Sequence, residues 1–524
     1  MRTCTLIALL FPFHALAQEG SDDPQRDLES RINSLADPDV EQEKRIEARG
    51  SLESQWHDFN NIDYRLRDES SDQAILDSDD RGTFAFSGVS VELSVKIDEQ
   101  TTVVGGLSHR GLWGDDQLGK ANAFQSAFYF TSLYMQHSFG EGMELRIGRQ
   151  LLELGGIANS REYVLSDIVD MVRLDVPLGE AGTIMFIPIN VVGLAPDDDV
   201  SLVRYIGQSN TTQVGFRGDT MHRRHGAILN LDGLGEGAPE LHAYAFYTDI
   251  GSPGSGSDIS YQGRLGNFAD NDWVANIGVR GQLEAGAAIP FLSADISRGI
   301  DRKELVADDV NANGISGSAG IVVDTRDKEE DNPTGFMAEF SGYYAQGAVY
   351  RANGLQFSHG YVGLKGRHTG GTIANRYLGL HPAAYVGRAG VTDEQHSYGR
   401  KSGTLVGHAY AGYDFGKVNG RVAYWYMQDT AVTALNLSEL DTIDPPFGYS
   451  RDEFAAQERL GKALGQEINV DVRWDLGDAV TLRMNTGVFL PGAFYAIPIG
   501  RVAGPALGGE TPAWTVNAGS VVRF

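Results

Sequence analysis

From about residue 50 to its C-terminus the chain alternates apolar and polar positions with a period of two, the periodicity of a β-strand with two unlike faces. The stretch Gln466 to Pro491 shows it most clearly. Ile468, Val470, Val472 and Trp474 fall on one side, with Glu467, Asn469, Asp471, Arg473 and Asp475 on the other. Gly477-Asp478 turns the chain. Val480, Leu482, Met484 and Val488 then share a face, opposed by Thr481, Arg483 and Asn485. This pattern predicts a β-hairpin with one apolar and one charged side. Unpaired ionised groups are expensive to bury, so the charged side needs water. The apolar side needs a cover, which is either a second sheet or lipid.

The same alternation recurs. Ile62, Tyr64 and Leu66 alternate with Asp63, Arg65 and Arg67. Val89, Val91, Leu93, Val95 and Ile97 alternate with Ser90, Glu92, Ser94, Lys96 and Asp98. Phe84 and Phe86 have the opposite parity, which predicts a bulge near Gly88. Further strands are predicted over Thr101 to Leu112, Phe124 to Ser138, Met143 to Leu154, Ile168 to Leu178, Thr183 to Val192 and Leu241 to Asp249. Trp273, Ala275, Ile277 and Val279 follow, with a parity slip near Gly281. Leu405 to Phe415 and Val418 to Gln428 pair across Gly416-Lys417, and Ala513 to Phe524 closes the chain on an aromatic residue. Between 200 and 240, His222-Arg223-Arg224-His225 reads equally as turn or strand.

Loop lengths separate the two possible covers. Tight turns lie near 99, 141, 180, 286, 417 and 477. They alternate with long polar links such as Ala195 to Thr212, Gly251 to Asp270, Asp301 to Ser316, Gly387 to Lys401 and Ala434 to Gly465. A soluble sandwich has no reason to segregate its loops this way, whereas a transmembrane barrel has short turns at its periplasmic end and long loops outside. Runs of nine or more residues suffice for a tilted strand to cross the hydrocarbon, and closure removes the exposed edges. The predicted fold is all-β, a transmembrane antiparallel β-barrel of about 18 strands, with 16 to 20 compatible with the pattern.

Composition narrows the setting. The 524 residues carry a net charge of −27, which argues against nucleic acid as a partner. There are 65 glycines, 21 tyrosines and 23 phenylalanines, as suits a β-rich chain with many turns. The single cysteine, Cys4, excludes a disulfide framework. Residues 1–17 carry a basic start, an apolar centre and Ala15-Leu16-Ala17, the pattern of a secretory signal peptide. Residues 18–50 form a polar leader in which Leu28, Ile32 and Leu35 allow a short helix before Pro38. Residues 51–524 make the barrel. No later apolar run is long enough for a spanning helix. The predicted location is therefore the bacterial outer membrane, with its lipid and lipopolysaccharide as surroundings.

Three features together resemble the alginate-export family of outer-membrane porins. They are Leu145-Arg146-Ile147-Gly148-Arg149-Gln150 with Leu154-Gly155-Gly156, then Gly487-Val488-Phe489-Leu490-Pro491-Gly492, and the terminal Val521-Val522-Arg523-Phe524. The C-terminal Phe524 is similar to the signal read by the barrel-assembly machinery. The resemblance implies an arginine-lined lumen that passively conducts an acidic, alginate-like polysaccharide or small anionic solutes. It implies no cofactor, and polysaccharide-export components as partners. Parity points Arg146, Arg173, Arg280, Arg473 and Arg483 inward and leaves Arg149 and Arg421 undecided. Glu467 and Asp471 share the inner face, as do Glu92, Glu144, Asp175, Glu284 and Asp475. The expected wall is thus mixed in charge, and cross-strand pairing competes with a solute-binding role. Two alternatives remain: a plugged receptor or adhesion barrel that binds a partner through acidic loops, and a barrel-borne hydrolase.

Other chemistry is sparse. No G-x-S-x-G elbow, Walker or dinucleotide motif occurs, which predicts a protein that is not an enzyme. Asp309, Asn311 and Asn313, followed by Gly314, match the first half of a calcium loop, so a calcium ion at an outer loop is the one metal expected. The twelfth position is Gly320, and the usual bidentate Glu is missing. The stretch around 452–463, after Pro445-Pro446, predicts a short loop helix.

Overall fold

In a computed structural model, the structure describes residues 46–60, 81–113, 128–155, 162–192, 222–249, 273–301, 310–326, 333–350, 404–430, 463–492 and 512–524. Residues 236 and 348 are excepted, and a few positions between 356 and 373 and at 432–433 are included. The signal peptide, the leader helix, the strand expected at Ile62 to Leu66 and the helix expected before Ala463 lie outside these residues.

In chain order the strands are β1 (Ile46–Asn60), β2 (Arg81–Lys96), β3 (Thr101–Trp113), β4 (Phe128–Gly140), β5 (Met143–Gly155), β6 (Glu162–Pro177), β7 (Thr183–Val192) and β8 (His222–Leu231). Next are β9 (Glu240–Asp249), β10 (Trp273–Gln282), β11 (Ala288–Asp301), β12 (Val310–Asn311), β13 (Gly314–Asp324), β14 (Thr334–Ala345), β15 (Val349–Tyr350) and β16 (Gln356–Ser358). The last are β17 (Arg367–His368), β18 (Thr404–Phe415), β19 (Val418–Asp429), β20 (Val432–Thr433), β21 (Ala463–Asp475), β22 (Val480–Pro491) and β23 (Ala513–Arg523). Five of the 23 strands, β12, β15, β16, β17 and β20, are two- or three-residue pieces within loops. The other 18 pair antiparallel in chain order around one closed ring.

The ring closes where β1 meets β23, from Ser51 opposite Arg523 to Asn60 opposite Trp514. Two backbone hydrogen bonds lock the seam. Gly50 N–H donates to Phe524 O at 2.8 Å, and Phe524 N–H donates to Gly50 O at 3.0 Å. The Phe524 ring lies over Gly50, so even a Cβ at position 50 would collide with it. Strand β1 starts at Ile46 and the seam is already formed at Gly50, so strand structure reaches into the segment expected to be leader. Its outward positions there, Leu52, Ser54 and Trp56, are too weakly apolar to announce a strand until β23 is beside them.

Links at one end are 97–100, 141–142, 178–182, 232–239, 283–287, 325–333, 416–417 and 476–479. Those at the other run through 61–80, 114–127, 156–161, 193–221, 250–272, 302–313, 346–403, 430–462 and 492–512. Short and long links alternate with one exception, 156–161, which is shorter than 232–239 and 325–333 at the other end. The tightest link needs left-handed backbone at Gly140, Glu141 and Gly142 (φ +87°, +50° and +79°), which glycine supplies without strain at its two ends.

Several local expectations change. His222 to His225 opens β8 as strand. The β2–β3 register passes Gly88 without a shift, and β10 runs from Trp273 to Gln282 with no slip at Gly281. Bulges occur instead at Gly106/Leu107, Val172/Leu174 and Ile187/Asn190.

The two faces of the wall follow the alternation. In the β21–β22 hairpin, Trp474 lies opposite Leu482, Val472 opposite Met484 and Ile468 opposite Val488, all facing out. Ile468 is 47% exposed and Trp474 50%, whereas inward Glu467 is 0% exposed. Along β11 the inward Ile289, Phe291, Ser293, Asp295 and Ser297 are all buried, while the outward Leu292 and Ile296 are exposed. A sheet that exposes its apolar face and buries its polar one has lipid as its outer solvent.

Candidate solute pathway

Charged side chains gather on the inner face near the short-turn end. Glu144 and Arg146 of β5 stand opposite Asp175 and Arg173 of β6. Arg473 of β21 stands opposite Arg483 of β22. Like charges directly opposite each other destabilise a sheet. Here carboxylates two residues away on the same strand, and therefore on the same face, offset the repulsion. Arg146 pairs with Glu144. Arg173 pairs with Asp175 at 2.7 Å, and Arg473 with Asp475 at 3.1 Å. At the start of the link after β13, Arg326 bridges Asp324 and Asp414 at 2.8 and 2.7 Å. The repeated acid-x-Arg or Arg-x-acid spacing was readable in the sequence as the mark of same-face pairing.

Arg483 differs. It is exposed to the lumen and, among the described residues, has no carboxylate partner. Arg280 also lies on the inner face, but it is 1% exposed, between His242 and Ser293 on the flanking strands, and so is withdrawn from the open lumen. Asp471 accepts a hydrogen bond from Asn485 Nδ2 and lies opposite Arg421, whose guanidinium sits 5.9 Å from the Tyr410 ring centroid. Arg421 thus takes the inner face. Arg149 takes the outer one.

Glu467 has a role that its sequence context did not signal. Its Oε1 accepts the Ile373 backbone N–H at 2.7 Å and Asn469 Nδ2 at 2.6 Å. Ile373 belongs to the long connection between β14 and β18. Within the same connection, Arg367 and His368 pair with Tyr163 and Glu162 of β6, close to the opposite side of the 18-strand ring. Leu364 packs into an inward-facing apolar cluster with Leu152, Leu154, Met171, Ile187, Ile228 and Phe246. The connection therefore enters the lumen and crosses it. It is anchored by a hydrogen bond on the β21 side and by apolar burial on the β5–β9 side.

No family model matches the sequence, and no curated protein matches it. Among solved structures, Pseudomonas aeruginosa OccK11 (OpdR) is 9% identical and aligns over 91% of this chain and 96% of its own, with a TM-score of 0.44. Acinetobacter baumannii OccAB4 is 10% identical over 92% and 99%, with a TM-score of 0.45. Pseudomonas putida OprB is 9% identical over 94% and 96%, with a TM-score of 0.39. The barrel stands on its own strand register, independently of likenesses of this size. The alginate-export resemblance finds no support in them.

The chain is an outer-membrane β-barrel. Its closed antiparallel ring, apolar exterior, polar interior and alternating loop lengths are the solution that hydrocarbon imposes on a β-sheet.

One buried inner cluster of the barrel contains Ser, His and Glu. Ser341 Oγ donates to Glu339 Oε1 at 2.6 Å, and Tyr343 OH donates to the same oxygen at 3.2 Å. His408 Nδ1 lies 3.3 Å from both Glu339 Oε1 and Ser341 Oγ, and its ring stacks on Trp425 at 3.7 Å. A hydrolytic relay needs serine and carboxylate at opposite ring nitrogens. Here both meet Nδ1, so the cluster is a packed polar network rather than a nucleophile with its base.

The calcium half-loop is divided. Asp309 lies outside the described residues. Asn311 is a paired residue of β12, and Asn313 Oδ1 accepts the Gly299 N–H at 3.4 Å, tying the loop to β11. Among the described residues no group of three His, Cys, Asp or Glu is placed to hold a metal.

Proposed function

We propose that the protein is an outer-membrane pore that passively conducts anionic solutes past the Arg473–Arg483 pair at its short-turn, periplasmic mouth. The observation that supports this reading is Arg483, a lumen-exposed cation without a neutralising carboxylate among the described residues. Arg146, Arg173 and Arg473 spend their charge on carboxylates two residues away. The wall as a whole is mixed, which favours small anions. A polyuronate of the alginate kind is the extended member of the same chemical class and the finer form of the proposal. Passive conduction needs no cofactor. Outward Phe524 at the closing seam supports recognition by barrel-assembly machinery, and the apolar belt supports contact with lipid and lipopolysaccharide. Components of polysaccharide export are partners only under the polyuronate form.

The test is single-channel recording in planar bilayers with the purified full-length barrel. Stable channels whose reversal potential in a salt gradient shows anion preference support the reading, and block by added polyuronate supports its finer form. Cation preference would overturn it. A second reading is favoured by the connection that crosses the lumen: a barrel occluded at rest, which opens when a partner draws the segment away. Its signature is absence of conductance in the native chain together with conductance once the Leu364 or Glu467 anchor is removed.

A further inference from the structure

Among the described residues, the outer wall carries an ion pair that lipid does not explain. Arg149 and Asp170 stand directly opposite each other on β5 and β6 and face outward. Arg149 Nε donates to Asp170 Oδ1 at 3.0 Å, and Nη2 donates to Oδ2 at 2.8 Å. Both side chains remain open to the exterior, at 31% and 49% exposure. The outward residues beside the pair, Leu133, Ile147 and Leu151, are apolar and exposed, as is Phe186 further toward the turn end, and the next outward charge on β5, Glu153, lies four positions on toward the loops. Arg149 is the middle residue of β5, six positions from Met143 and six from Gly155. The pair thus sits near mid-depth of the hydrocarbon belt, far from either headgroup layer, where snorkelling to water is least available. Ionisable groups at that depth mark a protein-covered or water-lined surface rather than a lipid-facing one.

We propose that a second copy of this chain covers this face, related by a two-fold axis along the membrane normal. Such an axis keeps every residue at its own depth, so a mid-depth charge can meet only mid-depth groups of its neighbour. A side-by-side Arg–Asp pair is complementary to itself under a two-fold rotation. Arg149 of each copy then reaches Asp170 of the other, and four alternating charges neutralise one another. The guanidinium has donors left after its bidentate contact, and each carboxylate oxygen has further acceptor capacity. The exposed Leu133, Ile147, Leu151 and Phe186 form the apolar surround of the contact. This inference rests on the membrane-spanning barrel alone and is independent of what the lumen conducts.

The test uses the full-length barrel in outer membranes. A Leu151→Cys variant, oxidised in place, is expected to form a disulfide-linked dimer, whereas Leu292→Cys on β11, distant around the ring, is expected not to. Arg149→Asp and Asp170→Arg, expressed separately, each place like charges across the axis and are expected to lower the dimer fraction about tenfold. Co-expressed with different tags, they are expected to recover it as a mixed dimer, because all four contacts become attractive between chains. Within each chain the two like charges remain together, so recovery cannot come from an intramolecular pair. Heat-modifiable migration on gels verifies that each variant is folded. If folded barrels stay monomeric in nanodiscs and Leu151→Cys does not cross-link, the face meets lipid and the proposal is wrong. Cross-linking without mixed-dimer recovery would remove the ion pair from the contact and equally overturn it.

Discussion

Replacing Glu467 with alanine should release the segment that crosses the lumen. The carboxylate is 0% exposed and accepts the buried Ile373 N–H at 2.7 Å and Asn469 Nδ2 at 2.6 Å. Truncation leaves both donors without this acceptor. A buried unsatisfied donor costs about 1–3 kcal/mol, and the two share one acceptor, so a combined effect of about 3 kcal/mol is reasonable. At 1.4 kcal/mol per tenfold, the anchored population of the segment falls by about two orders of magnitude. Glu467→Gln keeps a carbonyl acceptor for Ile373 and should lose about tenfold or less. The assay is single-channel recording of the refolded full-length barrel, reading the mean conductance and the fraction of time spent in low-conductance substates. The alanine variant should show larger, noisier openings, with the glutamine variant in between. If alanine and native channels prove indistinguishable, Glu467 does not hold the segment, and the anchoring argument fails.

Three further outcomes are expected. A unit charge about 6 Å from a passing ion in water is worth about 0.7 kcal/mol, and reversing it changes the energy by about 1.4 kcal/mol, so Arg483→Glu should lower anion permeability about tenfold. Arg146→Glu, beside Glu144, should also weaken the fold of the mouth, and equal, purely selective effects from the two variants would refute the distinction drawn between them. Gly50→Ala puts a Cβ against the Phe524 ring at the closing seam and should reduce the folded, heat-modifiable fraction, whereas normal assembly would show that the seam tolerates displacement of Phe524. In the 97–100 turn, the Gln100 amide, followed by Thr101, holds the Asp98 carboxyl below its ordinary 3.8. A depressed folded-state value means that the turn's contribution is present above the unfolded value and is lost as pH falls through the lower folded one. The protection of the Gln100 and Thr101 amides, with exchange corrected for its intrinsic pH dependence, should therefore hold at neutral pH and fall only in acid, and Asp98→Ala should abolish that dependence.

Much of the site was legible because strand parity is a local property. Arg146, Arg173, Arg473 and Arg483 are placed on the inner face by counting twos from apolar neighbours, and the acid partners of the first three follow from the same count. What they face across the lumen was not legible. Arg280 shares the parity of the others yet is withdrawn by its surroundings, a matter of packing that no periodicity encodes. Arg149 was ambiguous because Gly148 and Gln150 beside it mark neither face. Glu467 read as one more wall acid, since its partner Ile373 lies in a different loop and no pattern links the two.

By itself the sequence determined the architecture in outline: most of the strands though not β1, β11, β13 or β14, which face meets lipid, and which end has the short turns. Lipid imposes that alternation residue by residue, through the transfer free energy of each side chain, and a local cause leaves a local trace. Tertiary structure decided the rest. β1 is a strand only because β23 offers its edge, and Gly50 suits the seam only because Phe524 lies over it. Leu364 and Ile373 of the connection after β14 lie in the lumen because an apolar inner patch on β5–β9 takes the one and Glu467 accepts the amide of the other. These pairings join residues tens or hundreds of positions apart, and their energies arise only once the ring has closed.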